Sequence, residues 1–198
     1  MNEIKFKFEG KQLLMHNGQL ANPLNAYAKA LKLLTAKRKK TDEDYAEIAR
    51  LEWEGGLYLQ NGIVVIPGSN IDRCIWDAAK MSKDGKTYRQ GVIVADDYCP
   101  LAYRGKKIKV NGTKEIPNLE LDKYFAEYNF QTMVKVGKDK VLRTRPIFYD
   151  WSLECTLYFE ETRFDERTLL NIVQRAGAYT GLMEDRPRKG SFSVEKIN

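Results

Sequence analysis

Basic side chains set between glycines near the C-terminal end are the residues of this chain best suited to chemistry. The stretch reads GLMEDRPRKG from Gly181 to Gly190. Glycine lets a backbone approach a phosphate closely, while Arg186, Arg188 and Lys189 supply charge and planar hydrogen-bond donors. The stretch is also compatible with a helix-ending turn at Gly181 followed by a solvated basic tail. We favour a ligand-facing role for Arg186, Arg188, Lys189 and Gly190.

A second set of basic residues alternates with aromatic residues in the middle of the chain. Mixtures of this kind bind single-stranded nucleic acid, because cations neutralise phosphates and flat rings stack on bases. Each ring taken alone is more typical of a protein core, so only the collective pattern points to a ligand. The members are Arg104, Lys106, Lys107, Lys109, Lys135, Lys138, Lys140, Arg143 and Arg145, with Tyr98, Tyr103, Tyr124, Tyr128, Phe130 and Phe148. We take Arg143 and Arg145 as candidate nucleic-acid contacts.

Four consecutive basic residues, 37–40, end the first predicted helix. Such a cluster neutralises phosphates in many nucleic-acid-binding proteins. The segment that follows, 42–54, is rich in Asp and Glu, and an antiparallel neighbour of that kind balances the charge within the protein. The sequence leaves both interpretations open.

Signatures of catalysis and of metal binding are missing from the sequence. It contains no GxSxG, Walker, GxGxxG or HExxH motif. Its one histidine, His16, follows an apolar run, and no nucleophile or acid stands at a matching spacing. The pair Asp96-Asp97 is compatible with a divalent metal, but adjacent carboxylates at a strand end are more typical of turns. We therefore predict no catalytic residue, no metal site and no cofactor, and keep a metal-dependent nuclease as the alternative at this pair.

Composition and charge describe a globular protein with a preference for polyanions. The 198 residues carry a formal charge of +6, which is consistent with nucleic acid, although lysine also serves solubility. Cys74, Cys99 and Cys155 are far apart and odd in number, which favours free, buried thiols in a reducing cytoplasm. The first residues are unlike a targeting peptide, and no apolar run is long enough for a membrane helix.

Periodicity predicts the elements that position these residues in the first third of the chain. Residues 3–9 alternate as a half-buried strand. Residues 24–38 and 42–54 have the apolar spacing of two amphipathic helices, and Thr41 is the predicted N-cap of the second. Because the two segments follow each other closely, we expect a helical hairpin.

Turn signals organise the middle of the chain. Asn61-Gly62 predicts a β-hairpin, and Ser69 is predicted to cap the next helix with Asp72 as its capping-box partner. Residues 86–146 are less regular, with glycines, prolines and scattered lysines, and they suggest a β-rich lobe inserted in the main domain. Within this lobe 119–128 is a candidate short helix, and strands on either side of Gly137-Lys138-Asp139 form a second hairpin.

The last third is more regular. Residues 151–160 alternate as a long strand, and Asp165 is predicted to cap a helix from 166 to about 180. A short strand at 191–197 ends the chain. The mixture of strands and helices in this order predicts an α+β fold in one domain, 1–198.

Two stretches of the chain resemble motifs of the RAMP superfamily, the RNA-binding backbone subunits of CRISPR effector complexes. IPGSNI at 66–71 is similar to that family's element before its first core helix, and AYTGLMEDRPRKGSF at 178–192 is similar to its C-terminal glycine-rich loop. The resemblance implies a modified ferredoxin-like (RNA-recognition-type) core, with an inserted helical hairpin and the lobe 86–146 as a thumb. It also makes Ser69 and Asn70, together with Arg186, Arg188 and Gly190, candidate backbone contacts.

The chain departs from the family pattern at several positions. Leu182 replaces the second of two paired glycines, and the terminal glycine pair is reduced to Gly190-Ser191. Asn22-Pro23 stands where catalytic members carry an aspartate, which argues against strand cleavage. The whole sequence resembles small stand-alone relatives encoded by bacteriophages.

We therefore expect a non-catalytic binder of single-stranded nucleic acid, RNA favoured, in the cytoplasm (the host cytoplasm for a phage protein). It is expected to act as a multimer along the strand or within a CRISPR-type effector complex, with no membrane partner. The alternative is a phage-encoded protein-interaction module that mimics or inhibits a host CRISPR or defence complex.

Overall fold

The computed structural model describes residues 1–110 and 127–197, and it confirms the α+β class with helices and antiparallel strand pairs. The chain clusters into two compact units. The first comprises 1–13, 59–109 and 148–198, and the second comprises 14–58 and 110–147. The segment predicted as an inserted lobe, 86–146, therefore contributes residues to both units. Apart from its last two residues, the short helix predicted at 119–128 lies outside the described part of the chain.

The first unit is built on a sheet with strand order β10-β1-β9-β6-β7. β10 is antiparallel to β1, and the short strands β4 and β6 are each antiparallel to β9. The end of β1 and the part of β9 before residue 148 belong to the second unit. The strand bounds are β1 (Asn2–Leu14), β4 (Val92–Val94), β6 (Ala102–Tyr103), β7 (Lys106–Lys107), β9 (Asp139–Phe159) and β10 (Ser193–Lys196).

A smaller antiparallel sheet in the first unit has the order β2-β3-β5. The Asn61-Gly62 turn joins β2 to β3, and both residues take the positive φ, 51° and 72°, that a two-residue hairpin loop requires. The predicted hairpin is therefore confirmed. Its strands are β2 (Leu59–Gln60), β3 (Ile63–Pro67) and β5 (Tyr98–Pro100).

Three α-helices of the first unit are α3 (Gly68–Met81), α4 (Gly85–Gly91) and α5 (Glu166–Arg175). The predicted cap of α5 is confirmed, because the Asp165 carboxylate accepts the Thr168 N–H. One turn of π-helix, 176–180, extends α5 to the predicted end of that helix. The Ser69 cap is wrong: α3 already begins at Gly68 and has no side-chain cap. The Gly68 N–H instead donates to the Asp97 carbonyl at 2.8 Å, so a neighbouring backbone segment satisfies it.

Alternation along the strands divides the main sheet into a buried face and an open face. Ile4, Phe6 and Phe8 of β1 are buried, as are alternate residues of β9 from Trp151 to Phe159. The apolar stripes of α3 and α5 are buried as well and complete the core of this unit. The intervening side chains, such as Lys5, remain accessible and form the open face.

The second unit contains a helical hairpin and a β-hairpin. A 3₁₀ turn (Gly18–Ala21) precedes α1 (Ala26–Thr35), which packs against α2 (Asp42–Gly55) as predicted. Thr41 caps α2 in a complete capping box with Asp44. β8 (Asn129–Val136) pairs with residues 139–146 of β9, which confirms the predicted hairpin around Gly137.

The α1–α2 hairpin carries part of the charge balancing anticipated for the basic run. Lys37 forms an ion pair with Asp44 at 2.6 Å.

Within residues 1–110 and 127–197, every helix is too short or too polar to cross a membrane.

Candidate nucleic-acid interface

The structure brings together the start of α3 and the loop 181–190, which the sequence motifs pair. The Asn70 side-chain amide donates to Met183 Sδ at 3.2 Å. One turn further along α3, Cys74 Sγ donates to the Gly181 carbonyl at 3.1 Å. Ser69 is exposed on the first turn of the same helix. The start of α3 and the loop 181–190, far apart in sequence, are therefore in direct contact in the first unit, where Ser69 is exposed and Cys74 is buried.

Backbone contacts give the loop 181–190 a specific shape. Gly181 takes a φ of 73° and its N–H donates to the Ala176 carbonyl at 2.8 Å, so it ends the helix in the left-handed region. Leu182 N–H donates to the Gly190 carbonyl at 2.8 Å and closes the loop on itself. Gly190 has a φ of 94°, and a β-carbon there would lie 1.9 Å from the Leu182 carbonyl oxygen. Leu182 itself is fully buried, so a core side chain occupies the position of the missing glycine.

The cations of the loop differ in their partners. Arg188 and Lys189 both pair with Asp185, and these hydrogen bonds hold the pKa of that carboxyl below its usual value. Arg186 is exposed, and no carboxylate in the described part of the chain pairs with it. Near neutral pH the loop thus presents Arg186 as its unpaired cation.

The three cysteine thiols are buried, and their burial raises their pKa values. Cys74, Cys99 and Cys155 are free and buried, as predicted. Burial raises the pKa of Cys74 to about 12 against an opposing effect of the Arg186 charge, and it raises the pKa of Cys99 to about 12. Burial also raises the pKa of Cys155 well above its usual value. All three are therefore protonated at neutral pH.

The other predicted contacts, Arg143 and Arg145, lie in the β8–β9 hairpin of the second unit. Arg143 forms an ion pair with Glu52 of α2, whose other carboxylate oxygen accepts the Thr144 N–H at 2.8 Å. Glu52 is 5% exposed, so this pair links a helix to a hairpin inside the unit. Arg145 is half-buried two residues further on. The structure does not bring these two residues together with the loop 181–190 in one unit.

Two adjoining hollows, with volumes of about 570 and 370 Å³, form a groove on the open face of the main sheet. Lys7, Gly105 and Ser152 line both hollows, so the hollows are continuous. We call this feature the sheet groove. Ser191, the residue after Gly190, lines the larger hollow and joins the groove to the end of the loop.

Most of the lysines in the sheet groove are paired with neighbouring carboxylates. Lys5 contacts Glu154 at 2.9 Å and Lys7 contacts Glu9 at 2.7 Å, and each carboxylate raises the pKa of its lysine through this hydrogen bond. Lys11 contacts Asp150 at 3.0 Å. Exposed pairs of this type contribute little to stability, so the lysines exchange partners at low cost.

The turn between β6 and β7 adds cations of a different kind. Arg104 and Gly105 form its centre, with φ of 49° and 76°. The Arg104 guanidinium lies over the Tyr103 ring, 5.1 Å from its centroid. Within the described residues, no carboxylate pairs with Arg104, Lys106 or Lys107. Arg104 and Lys107, which line the two hollows, therefore give the groove its excess positive charge.

Flat and small residues form the rest of the groove. Tyr98, which is 47% exposed, lines the smaller hollow. In the larger hollow, Gly10 lies so close to Trp151 that a β-carbon would be 2.5 Å from the indole ring. The buried indole N–H of Trp151 has no acceptor among the residues that the structure describes.

Sequence reasoning identified Arg104, Lys107 and Tyr98 as part of a pattern but missed the other groove residues, Lys11, Ser191 and Trp151 among them. The strand predicted over 3–9 continues through Gly10 to Leu14. A glycine inside a strand often marks a close approach by another group, so Gly10 is a signal only once the strand is extended past it.

The acidic pair has a structural role. Asp96 accepts the Thr156 N–H at 2.7 Å, and Asp97 accepts the Gly68 N–H through its carbonyl. In the described ranges, no three His, Cys, Asp or Glu side chains form a group that could hold a metal.

The chain matches no protein-family model and no curated protein sequence.

Proposed function

We propose that the first unit binds single-stranded nucleic acid, RNA in preference to DNA, through its backbone and without cleaving it. The observation that carries the proposal is the sheet groove, with the unpaired cations of the Arg104–Lys107 turn on one side and the exposed Tyr98 ring beside them. Cations for phosphates and a flat ring for a base are the two components that single strands require.

Strand order supports a ferredoxin-like core for this unit. Taking β1, β4, β9 and β10 as strands one to four, the order β10-β1-β9 with β4 on β9 is 4-1-3-2. α3 lies between the first strand and the second, within a longer connection, and α5 lies between the third and the fourth. This order is the one expected of a βαββαβ arrangement, in which one sheet face carries helices and the other is available to RNA.

The lysines of β1 would then exchange partners when a strand binds. Phosphates replace Glu154 and Glu9 as the partners of Lys5 and Lys7, and the strand's counterions are released. Arg104 and Lys107 make the new charge contacts. The loop 181–190 continues the surface through Ser191, with Arg186, Ser69 and Asn70 as its contacts and Gly190 holding its shape. Arg188 and Lys189 would contact the strand only after their ion pairs with Asp185 break. Arg143 is not assigned to the binding site, because its ion pair with Glu52 stabilises the second unit.

Replacing two groove cations tests this proposal. The double variant Arg104→Gln, Lys107→Gln should bind a fluorescein-labelled single-stranded RNA about ten- to thirtyfold more weakly in an anisotropy titration, because each exposed charge contact contributes roughly 1 kcal/mol. The matched control, Lys138→Gln with Lys140→Gln, removes the same charge from the second unit and should retain the affinity. Equal losses in both variants, or none in the first, would contradict the groove as the site.

The labelled RNA should stay intact when it is incubated with the protein and magnesium. Degradation of the RNA would contradict binding without catalysis.

A protein partner is the second candidate, and the β8–β9 hairpin favours it. Met133 and Leu142 are cross-strand neighbours and are 56% and 43% exposed. Adjacent exposed apolar side chains are a feature of protein-interaction surfaces. Co-purification of a host protein that Met133→Ser abolishes, with no RNA affinity in the isolated chain, would favour this function over the first.

A further inference from the structure

A second basic surface of the first unit lies on α3 and α4. A cleft of about 540 Å³ there is lined by Trp76 and by four cationic side chains, Lys80, Lys83, Lys86 and Arg89, with no carboxylate among its lining residues. We call it the Trp76 cleft. It shares no residue with the sheet groove.

The indole of Trp76 is held in place and organises the cations around it. Its N–H donates to the Gly85 carbonyl at 3.0 Å, which ties α3 to the start of α4. Lys80 Nζ lies 4.1 Å from the ring centroid, and the guanidinium carbons of Arg89 and Arg73 lie 4.3 and 4.8 Å from it. Because cations over a ring face are attracted by its quadrupole, these three charges are ordered before any ligand arrives.

Charge around the Trp76 cleft is unevenly exposed. Asp72 pairs with Arg89 at 2.8 Å. Asp77 pairs with Arg73 at 3.0 Å and with Lys80 at 2.5 Å. These carboxylates are only 23% and 20% exposed, whereas the arginines are 48% and 58% exposed. The less exposed carboxylates therefore fix the positions of the cations, and the more exposed cations are the charges that a ligand in solution contacts first.

Two lysines at the cleft have no such partner. Lys83 and Lys86 are exposed, and no carboxylate in the described part of the chain pairs with either. Asp84, between them in sequence, is half-buried and does not line the cleft. Lysines of this kind are available to an incoming anion and carry no structural ion pair that binding would break.

We propose that the Trp76 cleft binds the phosphates of an oligophosphate group. A ligand with several charges on adjacent phosphates matches four cations around one cleft, since each phosphate contacts a different cation. A single carboxylate would contact one or two of them. Arg89 and Lys80 form the fixed part of the site, and Lys83 and Lys86 close on the ligand. This site is independent of the sheet groove.

The indole N–H signal of Trp76 reports on this site in a two-dimensional ¹H–¹⁵N NMR spectrum. The variant Trp76→Phe identifies the signal. Titration with inorganic tripolyphosphate should shift it to saturation and leave the signals of the buried Trp53 and Trp151 in place. In Lys83→Gln with Lys86→Gln the affinity should fall about tenfold, while the control Lys138→Gln with Lys140→Gln should keep it. An unmoved Trp76 signal, or equal affinities in all three proteins, would overturn the proposal.

Competition then identifies the source of the phosphates. A nucleoside triphosphate that displaces tripolyphosphate, where a 5′-hydroxyl RNA strand does not, assigns the cleft to free phosphorylated ligands. Displacement by the RNA strand, which carries no oligophosphate, would contradict the proposal and assign the cleft to nucleic-acid phosphodiesters. Arg104→Gln with Lys107→Gln should leave tripolyphosphate affinity unchanged, so a failure of the sheet groove and a failure of the Trp76 cleft are distinguishable.

Discussion

Gly190 combines two requirements that only glycine meets. Its φ of 94° lies outside the range of ordinary residues, and its missing β-carbon leaves space for the Leu182 carbonyl. Gly105 has a similar φ, 76°, but nothing lies within 4 Å of its virtual β-carbon. The two positions therefore separate the cost of backbone conformation from the cost of a steric clash.

Substitution of these glycines should have unequal effects. Gly105→Ala is expected to lower the free energy of unfolding by about 1 kcal/mol, the usual cost of a positive φ for a residue with a β-carbon. Gly190→Ala should lower it by about 4 kcal/mol, because the loop must also move apart. Urea unfolding of both variants measures the difference. Equal effects would show that the loop 181–190 is not closed by the Leu182–Gly190 contact.

At the scale of the elements, an ion pair between a strand and a helix gives Arg143 a structural role. The residue connects the β8–β9 hairpin to α2, and its partner Glu52 is nearly inaccessible to water. Its removal leaves a buried carboxylate with one charged partner fewer, which is more costly than loss of an exposed ion pair.

Arg143→Ala should lower the free energy of unfolding by about 2 kcal/mol, less than the roughly 3–5 kcal/mol for a fully buried pair, because the Arg143 side chain is 37% exposed. Lys138→Ala in the same hairpin should change it by less than about 0.5 kcal/mol. Thermal and urea unfolding compare the two. If the Arg143→Ala protein is as stable as the unmodified protein but loses RNA affinity, Arg143 is a nucleic-acid contact and its structural role is contradicted.

Local signals predicted most of the elements, because they act within a few residues. The acidic first turn after Thr41 marks α2, and Asn61-Gly62 marks a hairpin. The 21-residue strand β9 was instead predicted as two separate strands, since Pro146 and the turn-forming Asp150 interrupt its pattern. Asp150 takes a φ of 44°, the left-handed conformation that Asp tolerates, so the residue keeps its turn preference while the strand continues through it.

At the scale of the whole molecule, the sheet groove is the feature that sequence spacing cannot predict. Strand pairing places Ser152 of β9 opposite Ala102, next to the Arg104 turn, and β1 on the other side of β9 supplies Lys7. These residues are about 50 to 150 positions apart. The loop 181–190 was visible in the sequence because its glycines and arginines are contiguous. The Arg143–Glu52 ion pair of the second unit could not be anticipated, since it depends on which face of α2 meets the hairpin.

Salt dependence of RNA binding tests the central proposal most directly. A strand that lies along the sheet groove and contacts about four phosphates should give a slope near −3 when the logarithm of the association constant is plotted against that of the salt concentration. Anisotropy titrations of the unmodified protein with a labelled single strand, from about 50 to 300 mM salt, measure it. We predict that slope, reduced by one to two in Arg104→Gln with Lys107→Gln. No binding at the lowest salt, or an affinity independent of salt, would contradict a backbone-binding function for this protein.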